Sequence, residues 1–117
     1  MLQNNDVLNK ETLLSNMDGD TELLQELIEL FLEDYPGSLT EIENAIKEKN
    51  ANNLERSAHS FKGMLLNFAA IPASDVAFKL EKMGRDADFS QAEEAFLDLK
   101  KEIELVKQVL LSFVGKN

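Results

Sequence analysis

The sequence predicts an all-α protein: an up-down antiparallel four-helix bundle with a short extra helix at its N-terminus. Apolar residues recur at spacings of three and four along nearly every segment, and no alternation of period two is long enough to indicate a strand. The connections between segments are short, so successive helices should be antiparallel neighbours. With 117 residues, 44% of them hydrophobic, the chain has the size of one domain with a real core.

The N-terminal part predicts a short helix followed by a longer one. The short helix runs from about Lys10 to Met17, and Asp18-Gly19 is typical of a C-cap. Asp20 or Thr21 then begins the second helix. Its apolar residues recur at helical spacing: Leu23, Leu24, Leu27, Ile28 and Phe31.

Pro36 leaves the course of this second helix open. Proline is tolerated in the first turn of a helix and kinks a helix interior, so residue 36 either begins a further helix or lies within one long helix. The apolar pattern continues to about Lys49 in both cases. The polar residues 50–53 then offer several N-caps for the next helix.

Two helices are predicted in the middle of the chain. The one that carries His59 ends near Ala69, because the residue before a proline is disfavoured in helical backbone and Ile71-Pro72 follows. The next runs from about residue 73 to residue 83, with Gly84 as its C′ residue.

The last helix has the clearest predicted start. Ser90-Gln91-Ala92-Glu93 fits a capping box, in which the serine side chain accepts a hydrogen bond from the amide of Glu93. The apolar pattern then carries this helix to about Phe113.

Composition excludes several classes of function. The chain has 22 acidic and 12 basic residues, a net charge of -10, which argues against binding nucleic acid or an anionic membrane surface. It has no cysteine and a single histidine, so we predict no metal and no cofactor. No apolar run approaches the length of a membrane span and the N-terminus is unlike a signal peptide, so we expect a cytoplasmic protein.

The single histidine, His59, is predicted to face solvent. If Leu54 is set at zero on a helical wheel, the apolar side chains at 58, 61, 65 and 68 fall within about 40° of it, whereas His59 falls about 140° away. Imidazole has an unperturbed pKa near physiological pH and can act as a base or a nucleophile.

The neighbours of His59 favour phosphoryl transfer. Lys62 lies about 60° round the helix from it, and Arg56 one turn before it. Gly63, one turn on, is costly in a helix interior, which indicates either open space beside the ring or close helix packing. A neutral ring nitrogen can hold a phosphoryl group, and the lysine can stabilise its charge. No nucleotide-binding loop is present, so the phosphoryl group must come from and go to another protein.

The run His59-Ser60-Phe61-Lys62-Gly63, with Asn67 four residues after the glycine, resembles the H-S-x-K-G-x-x-x-N core of histidine-containing phosphotransfer (HPt) domains. Residues 19–24 and 30–36 resemble the helix before the active helix of that family, and Leu80-Glu81 resembles its pattern on the neighbouring helix. The resemblance covers about residues 8–113, so we interpret 1–117 as a single HPt domain with its core there.

This resemblance implies a monomeric four-helix bundle that relays a phosphoryl group between aspartates of response-regulator receiver domains, or accepts it from a hybrid sensor histidine kinase. It implies that His59 is phosphorylated at the ring nitrogen away from the backbone, that Lys62 assists the phosphoryl group, and that Gly63 gives the partner access. It places Glu81 near the ring. The family usually has glycine where this chain has Ala69, which implies a different backbone path there.

The surface around His59 is then expected to bind the partner, through Arg56, Met64, Leu66 and Glu81. Two alternatives stay open. The first is a non-catalytic acidic interaction module that binds a partner through the apolar patch at Met64 and Leu66. The second is an autonomous enzyme with His59 as general base, although no second catalytic group is apparent.

Overall fold

The computed structural model describes residues 7–18 and 20–114, and in this part of the chain it contains five α-helices and no strand. Four long helices pack in a ring in which each contacts the next and the last contacts the first, and the second and third of these four make the most extensive contact. The predicted fold class is therefore confirmed. The helices are α1 (Lys10–Asn16), α2 (Thr21–Lys47), α3 (Ala51–Asn67), α4 (Ile71–Asp86) and α5 (Ala92–Val114).

Side-chain caps fix where the first three helices begin. Asn9, Asp20 and Asn50 each accept a hydrogen bond from the backbone N–H three residues on, at 2.9, 3.0 and 3.1 Å. Asp20 is therefore the residue that begins α2. At the end of α1, Asp18 has a left-handed backbone with φ of 53°, while the predicted role of Gly19 lies outside the described residues.

Pro36 lies inside α2, which runs through it as one helix of 27 residues. The buried side chains before the proline (Leu24, Ile28, Phe31) and after it (Ile42, Ala45, Ile46) all belong to the same core. Burial of both halves against the other helices outweighs the loss of one hydrogen bond at the proline.

The turn between α3 and α4 is built around Ala69. This alanine has φ of 55°, a left-handed conformation that costs roughly 1–2 kcal/mol for a residue with a Cβ. Its carbonyl accepts a hydrogen bond from Asn9 N–H at 3.2 Å, which ties the residues before α1 to this turn. Pro72 lies in the first turn of α4, so this helix begins two residues earlier than predicted.

Two predicted helix ends are wrong. Gly84 is not the C′ residue of α4, because the helix continues to Asp86 and Ala87 takes the left-handed cap position. Ser90 does not cap the amide of Glu93: its hydroxyl donates to Asp88 Oδ1 at 2.8 Å, and α5 begins at Ala92. Both predictions rest on local residue types, whereas the close contact between α3 and α4 accounts for the glycine at position 84.

The core fixes the rotational phase of α3. Leu54, Ala58, Phe61 and Leu65 are buried, and the ring of Phe31 in α2 stacks on Phe61 with 6.5 Å between centroids. The opposite side of α3 therefore faces solvent. Among the described residues, no helix is both long and apolar enough to cross a membrane.

Candidate functional site

His59 stands near the middle of α3, on the side opposite the buried stripe. Its side chain is 66% exposed, as its helical phase predicts. A ring in this position is open to a second macromolecule, because the rest of the helix face around it also meets solvent.

Glu81 of α4 lies beneath the ring. Its side chain is only 5% exposed, and its Oε2 lies 3.1 Å from His59 Nδ1. A buried carboxylate needs partners, since burial of an unpaired charge is costly. The resemblance placed this residue near the ring, and the structure shows it below the ring, where it is shielded from solvent.

Lys62 is the second partner of this carboxylate. Its Nζ lies 2.8 Å from Glu81 Oε1, so the two side chains form an ion pair. The same ammonium lies 4.6 Å from the ring centroid of Phe78, a cation–π contact. These two contacts hold the Lys62 side chain against α4, close to His59.

These contacts determine the charge of Glu81. Burial raises the pKa of this carboxyl, but the interactions with Lys62 and His59 lower it by more, so its pKa lies below the ordinary value of 4.5. Glu81 is therefore ionised at neutral pH. An ionised carboxylate only accepts hydrogen bonds, so the proton shared with His59 is carried on Nδ1 and the neutral ring has its lone pair on Nε2.

Gly63 borders open space. Apart from its chain neighbours and the backbone of its own helix, a Cβ placed on this glycine would have no atom within 4 Å, so close helix packing does not explain it. The neighbouring positions keep the site accessible: Arg56, one turn before His59, is exposed, and its Nη2 donates to Asn53 Oδ1 at 3.3 Å.

Arg85 and Glu55 complete the site, and the sequence interpretation missed both roles. Arg85 Nη2 donates to Glu81 Oε2 at 2.9 Å, and its Nε donates to Glu55 Oε2 at 3.2 Å. The spacing of four between Glu81 and Arg85 was a signal that could have found one of these contacts. No local pattern connects Arg85 with Glu55, which lies 30 residues away.

The apolar residues predicted to bind a partner do not lie together. Leu66 is exposed on the His59 side of α3, two turns on. Met64 is half-buried and lines a groove between α2 and α3 with Leu30 and Phe31, on another side of the helix. On α4, Ile71 and Phe78 are exposed and share one face.

Comparison with known proteins identifies a family. Residues 26–109 match a family model described as the Hpt domain. The fold matches the crystal structure of histidine-containing phosphotransfer protein B (HptB) from Pseudomonas aeruginosa PAO1, with a TM-score of 0.87 and 21% sequence identity, over 95% of this chain and 97% of that chain. At this identity the match shows a shared fold. No curated protein matches the chain.

Proposed function

Since this chain belongs to the Hpt domain family, and is therefore a phosphotransfer carrier of phosphorelays, we propose that His59 is the residue that carries the phosphoryl group. The observation that supports this assignment is the contact between His59 Nδ1 and the ionised Glu81. It leaves Nε2, on an exposed ring, as the nucleophile. His59 is also the single histidine of the chain.

The transfer step follows from this geometry. Nε2 attacks the phosphorus of an aspartyl phosphate on the donor, so a nitrogen–phosphorus bond forms as the phosphorus–oxygen bond to the aspartate breaks. The aspartate leaves as a carboxylate, and the proton on Nδ1 stays on the ring, where Glu81 accepts its hydrogen bond. Donation to a second aspartate is the reverse reaction, so the chain needs no base of its own and no cofactor.

Three neighbours have separate roles in this proposal. Lys62 supplies positive charge for the phosphoryl oxygens. Gly63 leaves space for the partner, which fits the open surroundings of its Cα. Glu81 is a positioning residue: because its side chain is buried, it acts on the ring and on Lys62 and does not form a partner surface.

Hpt domains interact with receiver domains and with histidine kinases in phosphorelays. We propose that a receiver domain docks over Leu66, Ile71 and Phe78, the exposed apolar residues on the His59 side of α3 and α4, with Arg56 at the edge. Met64 is turned toward α2 and is a weaker candidate for this contact. A monomeric state, a cytoplasmic location and no binding to nucleic acid stay predictions; the charge of -10 supports the last of them.

The proposal is tested by label transfer. Receiver domains from the same organism are phosphorylated with radiolabelled acetyl phosphate, freed of the reagent and mixed with the wild-type chain or His59→Gln. We expect label on the wild-type chain alone, labile to acid and stable to alkali, as a phosphoramidate is.

Label on His59→Gln would contradict the assignment of the site. Binding of receivers without any transfer would favour the interaction module, for which the exposed Leu66, Ile71 and Phe78 are the relevant observation.

A further inference from the structure

We propose that Arg85 is a positioning residue for His59 and acts through Glu81, by holding Oε2 of that carboxylate against Nδ1 of the ring. The inference rests on the proposed role of His59 as the phosphoryl carrier. It assigns Arg85, together with its anchor Glu55, to the machinery of transfer.

Two donors converge on one oxygen atom. Glu81 Oε2 receives Arg85 Nη2 at 2.9 Å and His59 Nδ1 at 3.1 Å, while Lys62 lies at the other oxygen, Oε1. Both carboxylate oxygens are therefore held by a cation, and the plane of the carboxylate is fixed from both sides. Without Arg85, only the ring itself would hold Oε2, and the carboxylate could turn toward Lys62.

Arg85 is itself held across the helix pair. Its Nε donates to Glu55 of α3, one turn before His59, at 3.2 Å. Gly84, the residue before it, allows the two helix backbones to touch, since a Cβ at Gly84 would lie 2.9 Å from Glu55 Cα. The guanidinium thus bridges the two helices that carry the site, and its planar group fits two carboxylates at once.

Arg85 helps to compensate the buried charge of Glu81, but folding stability alone does not account for the whole arrangement. The side chain of Arg85 is 52% exposed, and ion pairs at exposed positions contribute little to stability because water and salt screen them. The pairing instead determines the direction of one hydrogen bond to the ring. That direction selects the tautomer with its proton on Nδ1, so that Nε2 is available for attack.

The charged groups facing the ring come from both packed helices. Glu55, Arg56 and Lys62 lie on α3. Glu81 and Arg85 lie on α4. Arg85→Ala removes the cation that shares Oε2 with the ring. We expect the ring then to sample both tautomers, and the maximal rate of transfer from a phosphorylated receiver to fall by about three- to tenfold, which is the range for one hydrogen bond.

The experiment combines nitrogen NMR with transfer kinetics. Because the chain has one histidine, the Nδ1 and Nε2 resonances of a sample labelled with 15N at histidine report its tautomer without overlap. The variants are Arg85→Ala, Arg85→Lys and Glu55→Gln. The matched control is Lys79→Ala, which removes another exposed cation from α4 on the side away from Glu81.

The inference is supported if Arg85→Ala shifts the nitrogen resonances toward the Nε2–H tautomer and lowers the maximal rate of transfer. Arg85→Lys should restore part of the wild-type tautomer population and part of the wild-type rate. Lys79→Ala should change neither. Glu55→Gln should give the same changes in smaller measure. Unchanged resonances and an unchanged maximal rate in Arg85→Ala would overturn the inference.

A docking role for Arg85 would look different and would also overturn the inference. It would raise the receiver concentration at half-maximal rate, as expected for Arg56→Ala, and leave the nitrogen resonances unchanged. If the wild-type chain accepts no label, the proposed function fails, yet the resonances of the unphosphorylated protein still report whether Arg85 positions the ring.

Discussion

The helices α3 and α4 make the most extensive contact in the bundle, and each contains a glycine that borders different surroundings. Gly84 of α4 lies against another helix, whereas Gly63 of α3 borders open space. At Gly84 in α4, a Cβ would lie 2.8 Å from Ala51 O and 2.9 Å from Glu55 Cα, so the α3 backbone fills the space. At Gly63 in α3, a Cβ would meet nothing within 4 Å. Gly84 allows the two helix backbones to touch, whereas Gly63 leaves open space beside His59.

The two regions depend on each other. The close approach of the helices at Gly84 brings Arg85 to Glu55 and places Glu81 beneath His59. The helix contact therefore positions the side chains around His59. A glycine in a helix therefore has no single meaning: its neighbours in the folded protein decide whether it serves packing or access.

The largest effect is expected for Gly84→Ala. The new methyl group would overlap backbone atoms of α3, which cannot turn aside as a side chain does, so the helices must separate. Overpacking of this kind costs roughly 1–3 kcal/mol, and we expect a net loss of about 2 kcal/mol in the free energy of unfolding. Urea unfolding measures it.

Gly63→Ala is the paired control for stability, and it should change the free energy of unfolding in the opposite direction. Alanine is favoured over glycine in a helix interior by about 0.5–1 kcal/mol, and nothing opposes it at residue 63. If both substitutions change stability in the same direction, the contrast between the two glycines is wrong.

A second effect concerns access to His59. Gly63→Gln should leave the fold intact or slightly more stable, yet slow phosphoryl transfer by about tenfold, a barrier increase of about 1.4 kcal/mol, because the new side chain occupies space the partner needs. Rates of labelling by a phosphorylated receiver measure it.

Gly37→Gln is the matched control for access. Gly37 is another exposed helical glycine with no atom within 4 Å of an added Cβ, but it lies in α2. It should gain similar stability with an unchanged transfer rate. Equal rates for Gly63→Gln and the wild type would show that the open space at Gly63 has no role in docking.

The smallest expected effect is a pH dependence of the free energy of unfolding that arises from Glu81. This residue contacts both His59 and Arg85, and so connects the two regions. Its pKa is lower in the folded protein than the ordinary value of 4.5, so the unfolded chain takes up a proton first as the pH falls. Glu81 therefore adds stability above about pH 4.5, and this contribution disappears as the pH falls through the lowered folded pKa.

Urea unfolding of the wild type and Glu81→Gln between pH 7 and pH 3 measures this contribution. The advantage of the wild type should shrink in acid. An advantage that grows on acidification would contradict the lowered pKa.

Local patterns predicted much of the fold and the centre of the site. The stripe from Leu54 to Phe68 placed His59 on the exposed side of α3, and Lys62 and Gly63 followed from the same helical phase. Gly84 and Ser90 were misplaced because glycine near a helix end and serine before a glutamate are typical caps, and both patterns are local. The contact between Arg85 and Glu55 lies beyond any such pattern.

The sequence by itself determined which residues are helical, which face of each helix is apolar, and that the single histidine lies among a lysine and a glycine on a polar face. These features follow from the period of the helix, which is local. The tertiary structure decided that α2 continues through Pro36, that Gly84 lies at a contact between helices, and that Glu81 is held by three cationic or ring groups. Those outcomes depend on which helix faces which, and the free energy of that packing arises between residues far apart in the chain.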